Sequence, residues 1–251
     1  MLTDEKLLEV VNSRKPSTAE GRLATKYPVL VKPSKYKICL ECNKREVIDI
    51  AGPFCAVCSR KKIINTLPED EKTKHFMTVI PKRYINASLT YLPKAITVSL
   101  ETELDTGVLL WGSAGVGKTY AMSAMAKHFM AEGYDVNRIH YETLCLQLRD
   151  TFNKQATQTE WTIIEPLLNC DILVSEDVGT SKSVGIQESD FSLRTFLLLL
   201  DIRLEHCRPT YITSNKSVEN LAKSFDERIG DRLRTFLVIR MEGKSKRNEL
   251  Q

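Results

Sequence analysis

Eight consecutive residues, Gly112-Ser-Ala-Gly-Val-Gly-Lys-Thr119, constrain this chain more than any other stretch. They follow the apolar run Val108-Leu-Leu-Trp111 and precede Tyr120-Ala-Met-Ser-Ala-Met-Ala-Lys-His-Phe-Met130, which reads as a helix. Strand, glycine loop and helix in this order form the context in which GxxxxGK[ST] holds phosphate. Gly112, Gly115 and Gly117 allow the tight bends that turn backbone N–H groups inward, and Ser113, Ala114 and Val116 complete the loop. The helix that begins around Tyr120 adds the positive end of its dipole. Lys118 can reach the β and γ phosphates, and the Thr119 hydroxyl can hold Mg²⁺. A glycine-rich turn with a chance lysine is the bland alternative, and it does not account for all these residues in frame. The loop implies a nucleoside triphosphate site.

The rest of the chain supplies a fold for that loop. Leu92–Leu104 reads as a helix leading into the loop strand. After the loop helix come a strand at Val136–Tyr141, helices at Thr143–Phe152 and Thr162–Leu168, and a buried strand at Cys170–Val174. A long helix at Phe191–His206, a strand at Pro209–Asn215, a helix at Val218–Phe225 and a strand at Phe236–Met241 follow. Alternation of this kind predicts an α/β fold, a mostly parallel sheet flanked by helices with ligands at the carboxyl ends of its strands.

Two of those strand ends carry chemistry. Ile172-Leu-Val-Ser175 runs into Glu176-Asp177. An apolar strand ending in two acids can supply one carboxylate to a Mg²⁺ shell and one to orient the attacking water. Here Glu176 is read as the magnesium acid and Asp177 as the water-orienting one; a pair of solvated acids is the alternative. Asn215 ends the next strand, where an amide can sense the γ-phosphate. Arg228 and Arg232 are four apart and would share a helix face, so that one of them can point at a neighbouring subunit's γ-phosphate. A surface ion pair with Asp231 is the competing reading.

Upstream lies a second, independent signal. Cys39-Leu-Glu-Cys42 and Cys55-Ala-Val-Cys58 are paired CxxC knuckles, with Glu46–Ile50 between them reading as a strand before the Gly52-Pro53 turn. Four such thiolates complete a tetrahedral zinc shell with no open position, so the site should fold a module rather than catalyse. A redox pair would need a thioredoxin-like βαβ context, which this stretch lacks. The predicted organisation is a zinc-binding domain over 1–66, a linker over 67–79 centred on Pro68–Lys74, and an ATPase domain over 80–251. A short helix at Glu5–Asn12 opens the first of these. Arg60-Lys-Lys62 is read as solvated surface.

Composition is that of an ordinary globular protein, with 42% hydrophobic and 27% charged residues and a net charge of +4. Charge is uneven, because residues 228–247 gather Arg228, Arg232, Arg234, Arg240, Lys244, Lys246 and Arg247 against Asp231 and Glu242. A basic end suits contact with nucleic acid or phosphate, or a solvated face. The charged start Met1-Leu-Thr-Asp-Glu-Lys6 is not a secretory pattern, and the apolar run near Phe196–Leu200 is too short to span a bilayer. The expectation is a soluble, cytoplasmic protein without a membrane partner.

Taken together these residues resemble the AAA+ ATPases of the DnaC/DnaI helicase-loader group, with the insertion-sequence helper IstB as close kin. The likeness runs from Ile80 to Arg247 and rests on Gly112–Thr119, Leu173-Val-Ser-Glu-Asp-Val-Gly179, Arg208-Pro-Thr-Tyr-Ile-Thr-Ser-Asn215 and Asp226-Glu-Arg-Ile-Gly-Asp-Arg-Leu233. It implies an AAA+ P-loop fold holding ATP and Mg²⁺ on Gly112–Tyr120, with Asn215 as sensor 1, Arg232 as the arginine finger and Arg247 as sensor 2. Glu176 stands where the group has Asp, which implies slower hydrolysis. The resemblance further implies an ATPase that delivers a hexameric replicative helicase onto single-stranded DNA, self-associates through its ATPase domain, and has an initiator protein as a further candidate partner. The zinc module favours this over an IstB-like transposition helper acting on double-stranded DNA, or a zinc-bearing adaptor with little hydrolysis.

Overall fold

The computed structural model describes residues 38–45, 54–94, 96–97, 107–153, 155–179 and 190–245. The expected helix at Glu5–Asn12, the strand at Glu46–Ile50, most of the helix read over Leu92–Leu104, and Arg247 lie outside them. The chain divides into two compact units, Met1–Cys55 and Ala56–Gln251.

Five short strands form the sheet of the second unit: β1 (Gly107–Trp111), β2 (Val136–His140), β3 (Ile172–Glu176), β4 (Thr210–Ser214) and β5 (Leu237–Arg240). Their order is β2-β3-β4-β1-β5, and every pairing is parallel. The alternation of side chains explains why the inner strands read as unbroken apolar runs. Val108 and Leu110 of β1, Ile172 and Val174 of β3, and Tyr211 of β4 enter one buried cluster. Leu109 and Ile212 point the other way into a second cluster, and Leu173 into a third. Both faces are therefore covered.

The helices follow from that demand. On one face lies α3 (Lys118–Ala131), whose Ala121, Met122, Met125, Ala126 and Phe129 all join the first cluster. Small and pliable side chains let this helix sit close to the sheet. The other clusters draw on α4 (Tyr141–Asp150), α5 (Glu160–Asn169), α6 (Asp190–Glu205), α7 (Val218–Ser224) and α8 (Glu227–Leu233). Among the described residues no helix is long and apolar enough to cross a membrane.

Ahead of the sheet come α1 (Ala56–Thr66) and α2 (Glu69–Met77). Helix α2 occupies most of the polar stretch read as a hinge. Its charges are ordered for a helix, with Glu69, Asp70 and Glu71 in the first turn and Lys74 and His75 in the last. Phe76 packs on the first cluster. Arg60 of α1, read as solvated, donates to the Gly133 carbonyl at 2.7 Å and pairs with Asp171, while Lys61 bonds Glu132 at 2.6 Å. Gly133 has φ of 89°, and a Cβ there would stand 2.2 Å from the Val57 carbonyl oxygen. Helix α1 is thus fixed to the turn between α3 and β2.

One buried cation holds the entry side of the sheet. Arg203 of α6 is 1% exposed. Its Nη1 donates to the carbonyls of Leu167 (2.7 Å) and Cys170 (3.0 Å), its Nη2 to that of Pro209 (2.8 Å), and its Nε to Thr210 Oγ1 (3.0 Å). These acceptors end α5 and start β3 and β4, so the guanidinium satisfies carbonyls that the helix terminus leaves open. Replacing Arg203 with Met should keep most of the volume but orphan those oxygens, at about 1–3 kcal/mol for each buried group left unpaired. We expect a loss of at least about 3 kcal/mol in urea unfolding; a loss under about 1 kcal/mol would mean that water satisfies the carbonyls instead.

Candidate nucleotide site and cysteine cluster

Register places the carboxyl ends of the strands side by side. Trp111 pairs with Ser214 and with Arg240, and His140 pairs with Glu176. The glycine loop leaves β1 at this edge. Gly112, Gly115 and Gly117 have φ of 151°, 86° and 101°. At Gly117 a Cβ would meet nothing within 4 Å, so there the backbone angle alone demands glycine. At Gly112 a Cβ would collide with the Met241 carbonyl oxygen at 2.1 Å, and at Gly115 with Ser245 Oγ at 2.1 Å. The segment after β5 therefore lies against the loop, anchored by the Met241 N–H donating to the Trp111 carbonyl at 2.7 Å.

Lys118 is buried in the first turn of α3, and its ammonium donates to the carbonyls of Gly112 (2.7 Å) and Ser113 (2.9 Å) and to Asn215 Oδ1 (2.7 Å). Lys118 and Asn215, read separately from the sequence, are thus in direct contact. Thr119 is half-buried beside Lys118, and the Tyr120 hydroxyl accepts from the Ser88 N–H at 3.1 Å. A carbonyl-lined ammonium beside a left-handed glycine turn at a helix N-terminus fits a phosphate chain in both charge and shape.

The two acids differ in surroundings. Glu176 is buried, and both Nε (2.8 Å) and Nη2 of Arg138 donate to its Oε2. Its Oε1 is buried with no hydrogen-bond partner among the described residues. Burial pushes the Glu176 carboxyl above its usual range, and the charge and hydrogen bonds of Arg138 hold it back. Arg138 Nη1 also donates to Ser123 Oγ (3.2 Å), and that hydroxyl donates to the Thr119 carbonyl (2.8 Å). A polar chain therefore runs from Glu176 to the first turn of α3. Asp177 is half-exposed, with φ of 53° and its Oδ2 3.2 Å from His140 Nε2. The turn is braced by β4, since Thr213 Oγ1 accepts from the Asp177 N–H at 2.9 Å and the Thr213 carbonyl from the Val178 N–H at 2.9 Å.

Arg232 lies elsewhere. Its Nε donates to Asp201 Oδ1 at 2.7 Å and its Nη1 to the Arg228 carbonyl at 3.4 Å, while Asp231 is 3.7 Å away. Arg228 instead forks onto Asp226, with both bonds at 3.0 Å. The Asp226 carboxyl also caps α8 and is held at about 2 by its bonds from Arg228. The sequence reading missed Arg138, His140, Ser123 and Asp201. For the first two a signal existed: an arginine and a histidine two apart, and so on one face, of the short edge strand Val136-Asn-Arg-Ile-His140.

The sulfurs of Cys39, Cys42, Cys55 and Cys58 lie within 4.8 Å of one another, and those of Cys42 and Cys55 are 3.9 Å apart. Four thiolates about 2.3 Å from a central Zn²⁺ would be separated by about 3.8 Å, so the cluster fits that ion. The first knuckle turns at Asn43 (φ 51°), whose N–H donates to the Cys39 carbonyl at 2.9 Å. Burial raises the Cys39 thiol, but the Cys42, Cys55 and Glu41 backbone N–H groups outweigh it and bring it to about 6. A thiolate at neutral pH is the form a metal takes.

Comparison with known proteins gives a consistent picture. The replicative helicase loader DnaC of Escherichia coli K12 is 28% identical over 123 residues, which cover 49% of this chain and 48% of that protein. DnaC of Buchnera aphidicola subsp. Baizongia pistaciae is 27% identical over the same length. The chain thus spans about half the length of the curated relatives it matches. Among solved structures, that of DnaI superposes with a TM-score of 0.55 at 23% identity, over 67% of this chain and 94% of that one. The DnaC helicase loader gives 0.54 at 22% identity, over 64% and 99%. AMPPCP-bound DnaA from Aquifex aeolicus gives 0.55 at 15%, over 68% and 54%. At such identities the structures share the fold, and the AAA+ fold expected from the sequence is the fold of this chain. Residues 94–248 match the family described as IstB-like ATP binding protein. That match spans well over half of the chain, and on it the chain belongs to the IstB-like ATP-binding family.

Proposed function

We propose that this chain is an ATPase that loads a hexameric replicative helicase onto single-stranded DNA. The observation that carries the reading is the similarity of its nucleotide-binding half to replicative helicase loaders, joined to a four-cysteine cluster ahead of it. In this reading Gly112–Tyr120 hold the triphosphate, and Thr119 and Glu176 hold Mg²⁺. Bound ATP·Mg²⁺ supplies an activated phosphoanhydride whose γ-phosphate can be read and then removed. Lys118 leaves its loop carbonyls for phosphate oxygens, and Asn215, bonded to it, senses the exchange. Asp177, oriented by His140 and the Thr213 hydroxyl, positions the attacking water. Arg232 reaches the γ-phosphate held by a neighbouring copy, and the resemblance adds Arg247 as a further γ-phosphate contact. Hydrolysis removes these contacts and releases the loader. The longer Glu176, tied to Arg138, makes that step slow.

In this reading single-stranded DNA lies along one polar surface. At the end of α4 and in the connection to α5 lies a polar cleft of about 540 Å³ whose lining includes Gln147, Thr151, Asn153, Gln155 and Gln158 and one acid, Asp150. Phe152, between the lining residues Thr151 and Asn153, is 63% exposed and is steadied by a T-shaped contact with Phe191 at 5.0 Å. One steadied aromatic face next to amides suits an unstacked base, with stacking worth about 1–3 kcal/mol per base.

Three experiments test this reading. On size exclusion with the hexameric replicative helicase of the same source, the chain should co-elute with ATP and dissociate once it is hydrolysed. A Lys118→Ala variant should show no ATP dependence, and no complex under any nucleotide would favour a transposition helper. Phe152→Ala should weaken oligo(dT) binding by roughly 5- to 100-fold in fluorescence anisotropy, whereas an unchanged affinity would move the DNA site off this cleft. Metal analysis of reduced protein should find zinc bound by the four cysteines, lost in Cys39→Ser/Cys42→Ser; a metal-free chain that still folds would remove the zinc assignment.

A further inference from the structure

We infer that Asp201 is the positioning residue for Arg232, holding its guanidinium at the surface ready for a second copy of the chain. The inference rests on the reading of Arg232 as an arginine supplied to a neighbour. Arg232 sits on α8, and its described bonds go to Asp201, Arg228 and Asp231, none of them in the chain's own phosphate loop. Asp201 lies 31 residues upstream on α6 and grips the guanidinium from its side. Its Oδ1 takes the Nε–H at 2.7 Å, and its Oδ2 stands at 3.5 Å from Nη2. The side chain of Arg232 keeps 31% of its surface exposed.

A side-on grip has a distinct consequence. The carboxylate uses the Nε edge, which faces back toward α6, and its second contact at Nη2 is a long one. Nη1 has only long contacts, 3.4 Å to the Arg228 carbonyl and 3.7 Å to the Asp231 carboxylate, so a phosphate oxygen can take the far end of the fork in their place. An arginine on a helix end otherwise samples many rotamers, and fixing it beforehand removes an entropy cost from each catalytic encounter. Arg228 is gripped through the same Nε and Nη2 atoms, but by Asp226 of its own turn, so nothing outside α8 fixes its direction.

Mixing of variants tests this. A Lys118→Ala copy lacks a working phosphate site but keeps Arg232, and an Arg232→Ala copy has the site but lacks the arginine. Mixed, the two should hydrolyse ATP faster than either alone. Using Lys118→Ala/Asp201→Ala as the donor should lower the restored kcat by about 10- to 100-fold, the scale of a misplaced catalytic group, with KM for ATP unchanged. Asp201→Glu in the donor should recover part of it, and a melting curve verifies that each donor is folded. Equal rescue by donors with and without Asp201, or faster turnover without it, overturns the inference while leaving the arginine's role standing. Absence of rescue by the plain Lys118→Ala donor overturns both.

Discussion

The carboxyl end of β4 is the point on which the candidate site depends. Four neighbours converge there: the Gly112 N–H donates to the Ser214 carbonyl at 3.2 Å, the Asp177 N–H to Thr213 Oγ1, the Val178 N–H to the Thr213 carbonyl, and Lys118 to Asn215. Ser214 Oγ closes the set by donating to the Val178 carbonyl at 2.7 Å. The glycine loop and the acid turn belong to different strands and are connected through this strand between them. Lys118 can be buried as an ammonium only because carbonyl and amide oxygens replace its water. Any phosphate that draws Lys118 away must therefore be felt at Asn215, and through β4 at Asp177.

The acids show which electrostatic effect wins. Glu176 is buried, and desolvation alone would favour its protonated form; Arg138 opposes that with two bonds to one oxygen. Removing one partner of such a buried pair strands the other, so the pair is kept even if its net contribution to stability is small. Asp177 faces the opposite situation. Half-exposed and beside His140, it stays accessible to water and ligand. One acid is set into the sheet, the other presented at its edge.

Much of this was legible in the sequence, for physical reasons. Strands buried on both faces read as continuous apolar runs, and the glycine loop is readable because backbone angles such as that of Gly117 accept almost nothing else. The paired CxxC spacing announced the sulfur cluster because metal geometry fixes the ligands locally. The polar partners were not legible. Arg138 meets Glu176 across 38 residues and Arg203 reaches Leu167 across 36, distances that no local pattern spans. Polarity also misled at α2 and Arg60, where charged residues serve a helix dipole and an ion pair rather than a solvated linker.

The Arg228 and Arg232 pair shows why spacing alone could not rank its members. Four residues apart on α8, the two share a helix and a charge, and the sequence offers each an acidic neighbour. Tertiary packing separates them. Arg228 closes a ring within its own turn, where Asp226 already accepts the Arg228 N–H at 2.8 Å as the helix cap, so its partner belongs to the start of α8 itself. Arg232, one turn later, meets a carboxylate from another helix, and that contact ties its direction to the packing of α6 against α8. A group aimed at a neighbouring copy needs such a support, because a side chain held only by its own helix moves with every fluctuation of that helix end.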